Sequence, residues 1–390
     1  MAALHKLVLS SLLVLVAASH VASQTTLNRW IVALKPESAP DLQHHVRWVT
    51  ELHARNLQKR GETPKGVDKT FDFPGFVGYS GSFDDETLEA LKVDASVEED
   101  QQVHLAALTS QTNPPWGLSA LSHANPPSSS EAYIYDESAG EGTFSYVVDS
   151  GLFASHVDFE GRAELAYDAT DGAETDHGHG THVAGIVGSK TYGVAKKTRL
   201  LGVQVTGTDR GESSWFLDGI AWTVNDILSK GRVGKSVVNM SLLVGNSSII
   251  NNAVKSMIDS GIPVIAAAGN SNSDTAEWSP ANLPEAITVA ASNRDFRRWS
   301  PSNWGPTVDL FAPGQQVPST WVGSSDQVYT TSGTSMAAPY VAGVAAYLLA
   351  LEGPTSPAAL KARILDLATP ELIADAKGVP NLLLYNGNGA

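Results

Sequence analysis

A serine hydroxyl attacks a carbonyl only when a neighbouring base takes its proton, and that base needs a carboxylate to fix its tautomer and stabilise the imidazolium. The charge that grows on the carbonyl oxygen then needs hydrogen-bond donors, which a side-chain amide and a backbone N–H can supply. Four residues far apart in this chain match these roles with none left over: Ser335 in "SGTSMAAPYVAG", His179 opening "HGTHVAGIVG", Asp149 closing the run "FSYVVD", and Asn270 closing "PVIAAAGN". Taken singly, each also has a structural use. Asp149 and Ser335 can serve as caps, His179 as a satisfied core histidine and Asn270 as a turn residue.

The elements that carry them follow a regular pattern. "FSYVVDSG", "TRLLGVQV", "SVVNMSL", "IPVIAAAGN" and "EAITVAAS" are short apolar runs, several of them rich in Val and Ile, with helical stretches between several of them. In "SSWFLDGIAWTVNDILSKG" the residues Leu217, Ile220, Val224, Ile227 and Leu228 form one apolar stripe, and Gly231 stops it. In "IINNAVKSMIDSG" the inward residues are Ile250, Val254, Met257 and Ile258, and Gly261 closes the helix. Val183, Ile186 and Val187 predict a buried helix after His179. This alternation predicts an α/β fold, a mainly parallel sheet with helices on both faces. In such sheets reactive groups gather beyond the carboxyl ends of the strands, where the four polar residues fall.

Ahead of this region, residues 24 to about 106 read as a separate small α+β unit. "RWIVALK", "GFVGYSGSF" and "VEEDQQVHL" predict strands, with helices over "DLQHHVRWVTELHARNL", where Leu42, Val46, Val49, Leu52 and Leu57 recur near helical spacing, and over "DETLEALK". The order is β-α-β-α-β. Its composition fits a permanent accessory domain and a pro-segment equally.

Residues 1–23 carry Lys6, an apolar run from Leu7 to Ala18, then small Ala22 and Ser23, the order of a secretory signal peptide. The run falls short of the ~20 apolar residues that span a bilayer. The chain is therefore expected to be secreted and extracellular, free of the membrane once the signal is removed. Its 390 residues include no cysteine, so no disulfide braces it. A core of this size makes disulfides unnecessary, and a bound metal ion is the other available brace. A net charge of −15 leaves no basic footprint for nucleic acid.

Together, "VVDSG", "HGTHVAG", "AAGN" and "SGTSMAAP" resemble the four signature segments of the subtilisin-like serine proteases, specifically the secreted fungal enzymes of the proteinase K branch. The chain order Asp, His, Ser is the one found in subtilisin. The likeness extends from about Trp116 to Asn388 through "YGVAKKT", "VDLFAPG" and "LLLYNGN". It implies an endopeptidase acting on proteins or peptides through Asp149, His179 and Ser335, with Asn270 in the oxyanion hole. Residues 24–106 then resemble the family's inhibitory, chaperone-like propeptide, cut near Ala106-Ala107, and residues 107–390 the catalytic domain, expected to be monomeric. The substrate is implied to lie as an added strand between Gly211, Glu212 and Ser213 on one side and Ser241, Leu242, Leu243 and Val244 on the other, beside Ala268 and Gly269. The chemistry needs no cofactor. By similarity to proteinase K, a structural calcium ion would take the Asp309 carboxylate and the Pro284 and Ala286 carbonyls.

The sequence departs from the family at two places. Ser241-Leu242 continues as Leu243-Val244 where relatives carry two glycines beside the substrate pocket, so side chains are expected in space a substrate normally uses. Tyr340 stands where relatives commonly carry His, with packing as the expected effect. Asn246, in Asn246-Ser247-Ser248, is a candidate glycosylation acceptor. Two other classes fit parts of the sequence. Asp176, His177, His179 and His182 in "DHGHGTH" have the density of a zinc hydrolase site but leave Ser335, Asn270 and Asp149 unused. A catalytically silent binding protein of the same fold would accommodate Leu243.

Overall fold

The computed structural model describes residues 29–35, 41–58, 66–100, 108–126, 131–173, 175, 177–208 and 211–389. The signal-like residues 1–23, the residues Ala106 and Ala107, and Asp176 lie outside the described residues. The chain forms two compact units, residues 1–105 and 106–390.

The first unit consists of β1 (Arg29–Leu34), α1 (Leu42–Gln58), β2 (Gly66–Phe73), β3 (Phe76–Ser82), α2 (Asp85–Leu91) and β4 (Ala95–Glu99). Its antiparallel sheet runs β2-β3-β1-β4. Val32, Leu34, Val49, Tyr79, Phe83, Leu88, Leu91 and Ala95 fill a core of its own. The order is thus β-α-β-β-α-β, one strand more than the sequence pattern predicts. That extra strand, β2, is an edge strand with most of its residues partly or fully exposed, so no buried alternation develops in "GVDKTFDF". His53 and Asp84 are both buried and bond at 2.8 Å, which accounts for two polar residues inside this core.

In the second unit, the strands are β5 (Phe144–Asp149), β6 (Ala163–Asp168), β7 (Arg199–Gln204), β8 (Ser236–Met240), β9 (Val264–Ala267), β10 (Ile287–Ser292), β11 (Val308–Pro313), β12 (Thr369–Pro370) and β13 (Leu382–Leu383). Its longer helices are α3 (Gly178–Gly188), α4 (Ser213–Ser229), α5 (Ser248–Asp259), α6 (Thr334–Glu352) and α7 (Pro357–Leu367). The sheet order is β12-β13-β11-β10-β9-β8-β5-β7-β6, parallel throughout except where β12 meets β13.

Burial on both faces explains the continuous apolar runs. β5 sends Val147 into the core shared with α3 and α6 and sends Tyr146 and Val148 into the core shared with α4 and α5. α6 is long and apolar enough to cross a membrane, yet its residues are almost all buried in the first of these cores. The buried face of α4 differs from the predicted stripe. Trp215, Phe216, Ile220, Thr223, Asp226 and Ile227 point inward, while Leu228 is exposed. Asp226 is tolerated on the inner side because it has partners there: Tyr146 Oη donates to it at 2.6 Å and Arg232 at 2.9 Å. α5 buries the four predicted residues.

Candidate active site

Asp149 is the last residue of β5, and His179 is the second residue of α3. His179 Nδ1 donates to Asp149 Oδ1 at 2.7 Å, and Ser150 N donates to the same oxygen at 2.7 Å. The Asp149 side chain is only 2% accessible and the His179 ring 42%. A buried acceptor on Nδ1 fixes the tautomer and leaves Nε2, on the accessible ring, as the basic nitrogen. Gly180 permits this approach, because a β-carbon there would collide with Gly151 O and stand 3.3 Å from Asp149 Cβ.

Asn270 and Ser335 meet through Thr334. Asn270 Oδ1 accepts bonds from Thr334 N and Thr334 Oγ1, both at 2.9 Å. With its oxygen held, the amide keeps Nδ2 as the donor available to a ligand. A β-carbon built on Gly333 would lie 3.5 Å from Asn270 Nδ2 and 3.6 Å from Ser335 N, so two N–H groups border space that the glycine leaves open. Thr334 Oγ1 also accepts from Gly269 N at 2.9 Å. Thr334 was not singled out by the sequence; its only signal is adjacency to Ser335. Ser335 Oγ donates to Ser241 O at 3.1 Å, and Ser241 Oγ donates back to Ser335 O at 2.9 Å.

The two segments implied to grip a substrate lie together. Gly211, Glu212, Ser213, Leu242, Leu243 and Val244, with Phe216, line a cavity of about 260 Å³. Val244 is tied to Ser279 by a short antiparallel bridge. Ala268 and Gly269 are buried just before Asn270. Asn246 is exposed, its Oδ1 accepting from Asn282 Nδ2 at 3.0 Å.

The histidine-rich stretch does not form a metal site among the described residues. His177 Nδ1 faces Ser150 O at 3.1 Å, His179 Nδ1 faces Asp149, and His182 Nε2 donates to Val317 O and Tyr329 O, both at 3.1 Å. Burial pushes the pKa of His182 down to about 4, so the ring stays neutral as it ties α3 to the hairpin of Val317–Thr320 and Val328–Thr331. Tyr340 is wholly buried in α6, as expected of a packing residue, and burial raises its hydroxyl pKa. Gly117 makes room for that hydroxyl, since any β-carbon there would overlap it.

Asp309, Pro284 and Ala286 are brought together, but around a side chain. Lys361 Nζ lies 2.8 Å from Asp309 Oδ1, 2.8 Å from Pro284 O and 2.8 Å from Ala286 O. Burial raises the Asp309 carboxyl pKa, and the Lys361 ammonium draws it back.

Comparison with known proteins places both units. Residues 140–389 match the family model described as subtilase family, and residues 29–106 match the one described as peptidase inhibitor I9. Alkaline protease 1 of Aspergillus flavus is 46% identical over 369 residues, spanning 92% of this chain and 91% of that protein. The alkaline proteinase of Hapsidospora chrysogena is 44% identical, spanning 93% of this chain and 92% of its own. Among solved structures, a cold-adapted subtilisin-like serine proteinase superposes with a TM-score of 0.66 at 39% identity, covering 70% of this chain and 99% of that one.

Proposed function

From the premise that the chain belongs to the subtilase family and is a serine endopeptidase carrying an I9-type inhibitory segment, we propose that Ser335, His179, Asp149 and Asn270 carry the reaction. Ser335 Oγ turns from Ser241 O toward His179 Nε2, gives up its proton there and bonds to the substrate carbonyl carbon. The carbonyl oxygen takes the displaced electron pair and is held by Asn270 Nδ2 and Ser335 N–H. Collapse breaks the C–N bond. His179 returns its proton to the departing amine, leaving an acyl group on Ser335. Water then repeats the sequence, losing a proton to His179, releasing the acid and restoring the Ser335 hydroxyl. Asp149 stays ionised throughout and stabilises the transient imidazolium.

The observation that carries this reading is the 2.7 Å bond from His179 to a buried Asp149 behind an accessible ring. Treating the secreted protein with a serine-directed fluorophosphonate tests it: the label should appear on Ser335 in wild type and be absent from Ser335→Ala and His179→Ala. Labelling at another residue, or equal labelling of His179→Ala, counts against the assignment.

Three further parts of the proposal follow from the sequence. Residues 1–23 direct export, residues 24–106 act as an intramolecular inhibitor and folding aid, and the enzyme cuts itself near Ala106-Ala107. Leu243 and Val244 narrow the choice of side chain before the cleaved bond. Protein and peptide substrates are the partners of the mature enzyme, which works as a monomer outside the cell.

A further inference from the structure

The three oxygens that resemblance assigns to calcium do not fit calcium in this chain, and we infer that Lys361 is their permanent cation. A lysine ammonium carries three donors. Here each has its own acceptor at 2.8 Å: Asp309 Oδ1, Pro284 O and Ala286 O. The remaining carboxylate oxygen, Asp309 Oδ2, accepts from Thr288 N at 2.8 Å. Every strong donor that faces these oxygens is thus supplied by the chain itself.

Calcium requires six to eight oxygens at about 2.3–2.6 Å. To reach Asp309 and the two carbonyls it must displace Nζ, since two cations cannot occupy one seat. Displacement would also free an ammonium that is only partly accessible, its side chain 18% exposed beside an Asp309 side chain 15% exposed. Lys361 is held in place by the adjoining face of its helix, because Leu360 and Ile364 of α7 are buried in the main core. The interaction therefore pins α7 to the amino-terminal ends of β10 and β11, the end of the sheet opposite Asp149 and Asn270. A cation tethered covalently cannot be lost to dilution or to a chelator. This part of the fold is independent of calcium supply, and its stability does not rest on the assignment of the catalytic residues.

The test counts bound ions. Equilibrium dialysis with radioactive calcium and thermal unfolding are measured on full-length Ser335→Ala protein, used only to prevent proteolysis, with Lys361→Ala, Asp309→Asn and the double replacement added to it. Lys361→Ala should bind one calcium ion more per chain than its parent. Its Tm should fall by several degrees in chelator and recover with calcium, while the double variant should lose the extra ion. With Lys361 present, Asp309→Asn should leave the number of bound ions unchanged, an arm that decides the matter even if Lys361→Ala does not fold. An ion lost from the parent on Asp309→Asn, or none gained by folded Lys361→Ala, overturns the inference.

Discussion

Leu243 leans on Gly269: its Cδ1 lies 2.7 Å from the point where a β-carbon on Gly269 would stand. Gly269 precedes Asn270 and has a φ of +105°, a conformation that side chains other than glycine rarely adopt. The two segments implied to flank the substrate side chain are therefore in contact through a leucine where the family resemblance implies bare backbone. Leu243→Gly should raise kcat/KM for large aromatic residues before the cleaved bond, relative to alanine, by about tenfold or more. An unchanged ratio on matched peptide substrates would place Leu243 outside the pocket.

Asn270→Leu should lower kcat by about 10²–10³ with KM little changed, the range known for the oxyanion donor of subtilisin itself. Thr334→Val should lower kcat by about fivefold, because one of the two bonds on Asn270 Oδ1 is lost while the Thr334 N–H bond remains. A Thr334→Val enzyme that changes KM alone would show that Thr334 does not act through Asn270.

His182 should make the fold acid-sensitive. Folded, the ring resists protonation down to about pH 4, whereas in the unfolded chain it charges below its ordinary pKa of 6.5. Over that window the unfolded state binds the extra proton, so stability is full above about pH 6.5 and falls as the pH drops, by about 1.4 kcal/mol per unit until the folded ring charges too. His182→Gln should be less stable at pH 7 but show a shallower loss from pH 6.5 to 4. Parallel denaturant midpoints for the two proteins across this range would assign the acid sensitivity to other groups.

Self-maturation predicts different products from wild type and Ser335→Ala. With outside proteases excluded, N-terminal sequencing should find wild type starting near Ala107 and Ser335→Ala starting near Gln24. If both begin at the same residue, either the segment is permanent or another enzyme removes it.

Most of the candidate site was legible in the sequence because each part is local. Asp149 and Asn270 follow apolar runs buried on both faces of the sheet, and His179 and Ser335 head helices whose small and branched residues pack inward. Strand and helix periodicity reports such positions directly. Thr334 was less visible, since its role depends on Asn270, 64 residues earlier in the chain. β2 and the strand Val328–Thr331 of the hairpin holding His182 escaped because exposed edges carry little apolar pattern.

The sequence by itself determined which residues could do chemistry, that strands and helices alternate in the larger unit, and which family the chain resembles. Only the tertiary structure decided what fills the space between distant segments. Asp226 lies on the buried face of α4, where Tyr146 and Arg232 meet it. Leu243 came to rest on Gly269. Lys361, which in sequence is one more charge on an amphipathic helix, took the seat expected for calcium, 75 and 77 residues from the carbonyls it binds. The physical reason is common to all three. Hydrogen bonds, ion pairs and packing act over a few ångströms in space, and the partners of a side chain are set by the folded chain rather than by its neighbours in sequence.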